Sequence, residues 1–126
     1  MKQFNLVNGE SIYLDIADVE MLEPIGPNCR AVLAIGTDMM LAGSVTSVEA
    51  VLGEMRLRGV NDYRINPNHV VAVESKGRNA CVLLLASGLR VEAADITAAE
   101  LSRVIEQQQK YPWDTIHIKR IISRGG

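Results

Sequence analysis

Val70-Val71-Ala72-Val73-Glu74, Ala80-Cys81-Val82-Leu83-Leu84-Leu85 and Leu89-Arg90-Val91-Glu92-Ala93 are three apolar-rich runs, separated by Lys76-Gly77-Arg78-Asn79 and by Ser87-Gly88. Aliphatic and β-branched residues at this density suit a pleated, half-buried surface, and Gly beside Asn or Ser supplies tight turns. Short turns join strands head to tail, so the stretch predicts an antiparallel meander. Thr97-Ala98-Ala99-Glu100 follows as a capping box, in which hydroxyl and carboxylate each satisfy an otherwise unpaired backbone donor. It predicts a helix to about Gln108 with Leu101, Val104 and Ile105 inward. Pro112 stops any continuation, Trp113 is expected to anchor the last segment, and Thr115 to Ile122 alternates as a closing strand.

Toward the N-terminus the same layout recurs at an offset of about 51. Val19-Glu20-Met21-Leu22-Glu23 precedes the apolar run Ala31 to Ile35, and Thr46-Ser47-Val48-Glu49 matches the later capping box. Asn8-Gly9 between Phe4-Asn5-Leu6-Val7 and Ser11-Ile12-Tyr13-Leu14 is a hairpin signal. Pro24 and Pro27 are expected to end the strand that starts at Val19, and Thr46 to cap a helix running to about Leu57 with Val48, Val51, Leu52 and Met55 buried. The expectation is therefore an α+β fold of two tandem β-β-β-α repeats, 1–58 and 59–126. Their antiparallel sheets are expected to pack pseudo-symmetrically in one compact domain, with the C-terminal strand added.

Apolar residues make up 48% of the 126, too many for a disordered chain. Aromatics are 4%, which leaves the core to aliphatic residues and removes the stacking platforms on which single strands of nucleic acid lie. No apolar run approaches the roughly 20 residues of a membrane span, and Met1-Lys2-Gln3-Phe4-Asn5 opens no signal-peptide stretch. A cytoplasmic protein with no membrane partner is expected. Cys29 and Cys81 are expected to be reduced core thiols. The net charge of −2 is unevenly spread. Residues 1–54 carry two basic and eight acidic side chains, and residues 55–126 carry eleven basic and seven acidic ones. The first half is acidic and the second basic.

Asn66-Pro67-Asn68-His69-Val70-Val71-Ala72-Val73-Glu74, followed by an apolar strand, Ser87-Gly88, another strand and a helix cap, resembles the flagellar FlbD-like family, with its "NP-x-x-I-x-x-I-E" stretch before two strands and a helix. Asn8-Gly9-Glu10-Ser11-Ile12-Tyr13-Leu14 is similar to that family's "NG-x-x-x-x-L" start. The same order of strands also resembles the LytTR DNA-binding domains of response regulators. That resemblance implies DNA contact through a basic surface.

Little in the chain carries chemistry. Neither cysteine sits in a Cys-x-x-Cys pair, and His69 and His117 have no ligand-spaced companions, so no metal and no cofactor are expected. Ser87-Gly88 lacks the flanks of a nucleophile elbow. Glu20, Glu23 and Glu74 offer carboxylates, and only a cleft joining Glu20 or Glu74 to a histidine would make an enzyme of this chain. Two non-enzymatic readings remain. The first is a protein-interaction module, an adaptor or small inhibitor acting as a homodimer or larger assembly, with Ile116, Ile118 and Ile121 on an edge strand that pairs with a partner protein. The second is a nucleic-acid-binding regulator using Lys76, Arg78, Lys119, Arg120 and Arg124. The overall acidity favours the first.

Overall fold

A computed structural model describes residues 1–107 and 115–124, the last two through their backbone alone. The expected helix extension to Gln108, the stop at Pro112 and the anchor at Trp113 lie outside the described residues. In chain order the strands β1 (Lys2–Asn5) and β2 (Ser11–Leu14) form a hairpin, and a 3-10 turn at Ile16–Asp18 leads to β3 (Val19–Ile25), β4 (Asn28–Leu33) and β5 (Asp38–Leu41). Helix α1 (Val45–Leu52) precedes a short hairpin of β6 (Leu57–Gly59) and β7 (Arg64–Ile65). A second 3-10 turn, Pro67–His69, opens β8 (Val70–Ser75), β9 (Ala80–Leu85), β10 (Leu89–Ala94), α2 (Ala98–Gln107) and β11 (Thr115–Arg124).

These strands do not build two sibling units. Nine of them form one sheet in the order β5-β4-β3-β7-β6-β11-β10-β9-β8, while β1 and β2 stay apart as a two-stranded sheet. The expectation of two tandem β-β-β-α repeats packed pseudo-symmetrically is therefore wrong. The later half sends its hairpin across to the earlier one, where β7 pairs with β3 through Met21↔Ile65 and Leu22↔Arg64. The last strand then inserts between β6 and β10, running parallel to β6 and antiparallel to β10. The recurrence at 51 residues records the common grammar of any antiparallel meander capped by a helix. Turn chemistry and apolar rhythm are local, and they do not specify which strand a hairpin will join.

One cluster of buried side chains lies beneath α1 and the hairpin β1–β2, with Phe4, Leu14, Leu22, Cys29, Ala31, Leu41, Val48 and Leu52. A second lies beneath α2, with Leu57, Ile65, Leu83, Leu89, Val91, Leu101, Ile116 and Ile118. Met21 and Val32 belong to the second cluster while Leu22 and Ala31 belong to the first, so both faces of β3 and β4 are covered. This is the burial that the continuous apolar run of β4 predicts.

Local expectations fared unevenly. Thr97 and Glu100 do form the reciprocal capping box, with the Glu100 N–H donating to Thr97 Oγ1 at 3.2 Å and the Thr97 N–H donating to Glu100 Oε1 at 3.2 Å. The first helix is capped instead by Ser44, whose hydroxyl oxygen accepts from the Ser47 N–H at 3.1 Å. It ends at Gly53 with φ 132°, where a β-carbon would stand 2.8 Å from Ile16 Cδ1. Val51, expected in the buried stripe, is 50% exposed, and Met55 is buried in the approach to β6. Pro24 lies inside β3; β7 reaches only to Leu22, so no neighbouring strand on that side needs the missing N–H.

Candidate nucleic-acid interface

The far face of the later half of the sheet is set by its register. Glu74 lies opposite Val82, Val82 opposite Glu92 and Glu92 opposite Arg120, giving one row across four strands. The neighbouring row holds Ala72, Leu84 and Arg90. Cys81, Leu83, Leu89, Val91 and Ala93 point the other way into the core. Strand alternation thus places two acids and two arginines on the same outer surface.

Glu92 is the centre of this surface. Its side chain is only 5% exposed, yet it meets two cations. Arg120 Nε donates to one carboxylate oxygen at 2.8 Å, and Lys76 Nζ stands 3.1 Å from the other. These partners, Arg120 first and then Lys76, hold the Glu92 carboxyl below the usual carboxylate range. Beside it Arg90 grips Glu74 with two hydrogen bonds, at 2.6 and 3.3 Å, which lowers the Glu74 carboxyl and raises the Arg90 guanidinium. Arg90 and Glu74 cancel each other, whereas Lys76 and Arg120 share a single anion and leave a net positive charge.

Of the five basic residues expected to meet an anionic partner, the structure brings Lys76 and Arg120 together on Glu92. Arg78 stands at the exposed tip of the β8–β9 hairpin, two residues from Lys76, and Lys119 is exposed next to Arg120. Arg78 and Lys119 have no ion-pair partner among the described residues. Arg124 pairs through its backbone with Leu89, and its side chain lies outside the described residues.

The edge-strand expectation for Ile116, Ile118 and Ile121 needs correction. β11 is an interior strand, flanked by β6 and β10. Ile116 and Ile118 are buried in the second cluster and Ile121 packs against it, so these side chains close the protein's own sheet. Their spacing is not strictly alternate, and two bulges explain it. Pairing with β10 skips Lys119, between Ile118 and Arg120, and again Ile122, between Ile121 and Ser123. The first extra residue shifts the phase so that Ile121 turns inward and Lys119 and Arg120 both reach solvent. Bulges and basic side chains along this strand also discourage pairing with a foreign strand.

Glu20, one of the carboxylates the sequence offers for chemistry beside a histidine, proves to be a buried tie. Pairing between β3 and β4 skips Glu20, and its side chain is fully buried. Glu20 accepts the Ser87 N–H at 2.9 Å and the Ser87 hydroxyl at 2.6 Å, and His69 Nδ1 lies 3.5 Å away. His69 Nε2 stands 2.6 Å from the Ala17 carbonyl, which only accepts, so this nitrogen carries a proton. The order is serine–carboxylate–histidine. A nucleophilic triad places the imidazole between the other two, free to take the serine proton. Here the three residues link β3 to the turn between β9 and β10. A second cluster, Glu49 with Arg58 at 3.2 Å and Arg64 at 3.3 Å, joins α1 to the β6–β7 hairpin. Glu49 also accepts the Met55 N–H at 3.1 Å and takes no part in a capping box.

Sequence reading missed Glu92, Glu20 and Glu49 as organisers. Glu92 alternates with apolar neighbours and so reads as any outward strand residue. That Arg120 lies opposite depends on a register displaced by a bulge. Among the described residues no group of acids, histidines or cysteines is arranged to hold a metal ion, and no helix is long and apolar enough to cross a membrane.

No family model matches the chain and no curated protein matches it, so the FlbD-like resemblance gains no support. Among solved structures, the chain is similar to the LytTr DNA-binding domain of a methyl-accepting/DNA response regulator from Bacillus cereus. The TM-score is 0.57 at 17% identity, over 82% of this chain and 92% of that one. The single nine-stranded sheet, with its two helices and separate hairpin, is a LytTR-like fold.

Proposed function

We propose that the protein is a non-enzymatic, nucleic-acid-binding regulator that contacts phosphates through Lys76, Arg78, Lys119 and Arg120. The carrying observation is the meeting of Lys76 and Arg120 on Glu92, with Arg78 and Lys119 exposed near them in the chain, on a fold shared with a domain named for DNA binding. This reverses the ranking of the two readings suggested by overall charge. The acidic half lies at the other end of the sheet, so a net charge of −2 does not describe the surface that would meet the ligand. The interaction-module reading loses its proposed partner-binding edge with the burial of Ile116 and Ile118. The cytoplasmic location expected from the sequence suits a protein that meets nucleic acid.

The test is binding of a fluorescent duplex by anisotropy across a salt series. Four neutralised phosphates give a log–log slope of about −3.6, at about 0.9 per phosphate, so a fourfold rise in salt weakens binding roughly 150-fold. Replacing all four cations by alanine removes retention while the far-UV spectrum stays unchanged. If the unaltered protein does not retain DNA or RNA even at low salt, the reading fails.

A further inference from the structure

We infer that Glu92 is the positioning residue of this cationic surface, holding Arg120 and Lys76 in a pose that receives a phosphate or sulfate group. The inference rests on the nucleic-acid-binding reading above and adds to it the part that an acid plays. Three observations carry it. Glu92 is the cross-strand partner of Arg120, and its carboxylate is almost wholly covered although it points away from the core. Arg120 spends only its Nε–H on Glu92, and its side chain is 62% exposed. Both terminal nitrogens, with four of the five N–H donors, are then left without a partner among the described residues, in the fork that matches an anion's paired oxygens. Lys76 reaches the other carboxylate oxygen from the hairpin beyond β8 and keeps two ammonium donors, with its side chain 43% exposed.

Two opposed effects decide the sign of removing the charge. A carboxylate near the bound anion repels it, but Arg120 and Lys76 stand on its two oxygens and their two positive charges exceed its single negative one. Ordering a long, rotamer-rich side chain at the moment of binding costs the equivalent of about 2- to 12-fold, and Glu92 has two such chains already ordered. Positioning outweighs repulsion.

The experiment measures duplex binding by anisotropy at about 0.15 M salt, and elution from a heparin column, for the unaltered protein, Glu92→Gln and Glu92→Asp. The result expected is binding about fivefold weaker for Glu92→Gln, an intermediate loss for Glu92→Asp, and earlier elution of both. In a Lys76→Ala/Arg120→Ala background there is nothing left to position, and Glu92→Gln changes affinity by less than about twofold. Equal or tighter binding by Glu92→Gln overturns the inference. So does the same loss in the alanine background, which would mark a general effect on the fold. A protein that ignores the duplex but is retained by heparin removes the nucleic-acid reading, and the comparison at Glu92 is then read on heparin. Failure to bind either polyanion removes both.

Discussion

Glu20→Ala tests the tie between the two halves of the sheet. Glu20 is 0% exposed, and its carboxylate takes two short hydrogen bonds from Ser87, at 2.9 and 2.6 Å. A hydrogen bond to a carboxylate contributes about 1.5–3 kcal/mol net, and truncation leaves the Ser87 N–H and hydroxyl without an acceptor. His69, at 3.5 Å, adds little. The sum is about 3–5 kcal/mol, a large part of the 5–15 kcal/mol that holds a typical domain together. For a chain of this length each kcal/mol is worth about 3–5 °C, so the melting midpoint falls by roughly 10–20 °C. Urea unfolding at neutral pH, followed by circular dichroism, gives the free energy directly. Glu20→Gln keeps one accepting oxygen and loses about half as much. In a Ser87→Ala background the cost of Glu20→Ala shrinks, because much of what the acid held is already gone. A loss below about 1 kcal/mol for Glu20→Ala would refute the reasoning, since a buried acceptor of two donors cannot be removed so cheaply.

Other expectations follow from single features. Gly59→Ala puts a β-carbon 2.7 Å from Ile118 Cγ1 and 3.1 Å from Tyr63 Cβ, where β6 crosses close to β11. It costs about 1–3 kcal/mol, and an unchanged urea midpoint counts against the parallel β6–β11 pairing. Glu92 titrates lower in the folded protein than in the unfolded chain, so its contribution is present above the ordinary carboxylate value of about 4.3 and is lost as pH falls through the folded value. The urea midpoint therefore drops on acidification, and less steeply in Glu92→Gln; equal slopes would remove Glu92 from the acid response. Burial pushes the Cys29 and Cys81 thiols up to about 11, so neither reacts with a thiol reagent at pH near 8 until the chain unfolds. Rapid labelling of the native protein would show that one of them is reachable.

Local grammar was legible in the residues, and global pairing was not. Asn8-Gly9, Ser87-Gly88 and the Thr97–Glu100 box each form structure that depends on residues a few positions apart, and the structure has a hairpin, a turn and a helix start at those places. The apolar run at Ala31–Leu33 declared a strand covered on both faces. By contrast, Thr46–Glu49 has the form of a capping box yet loses to Ser44. Glu49 is drawn away by Arg58, Arg64 and the Met55 N–H, partners that arrive only when the β6–β7 hairpin docks.

The site divides in the same way. Composition and charge separated an acidic half from a basic one and named Lys76, Arg78, Lys119, Arg120 and Arg124 as the cations to watch. Only tertiary structure could put Lys76 and Arg120 on one carboxylate, because that depends on the bulge at Lys119 and on β11 entering between β6 and β10. The same insertion buried Ile116 and Ile118, and packed Ile121 against them, although sequence alternation had offered all three to a partner. Turn and cap preferences act over a few residues and are written in the residues themselves. Strand order and register are chosen by burial summed over the whole sheet, and a single extra residue changes which side chains reach solvent.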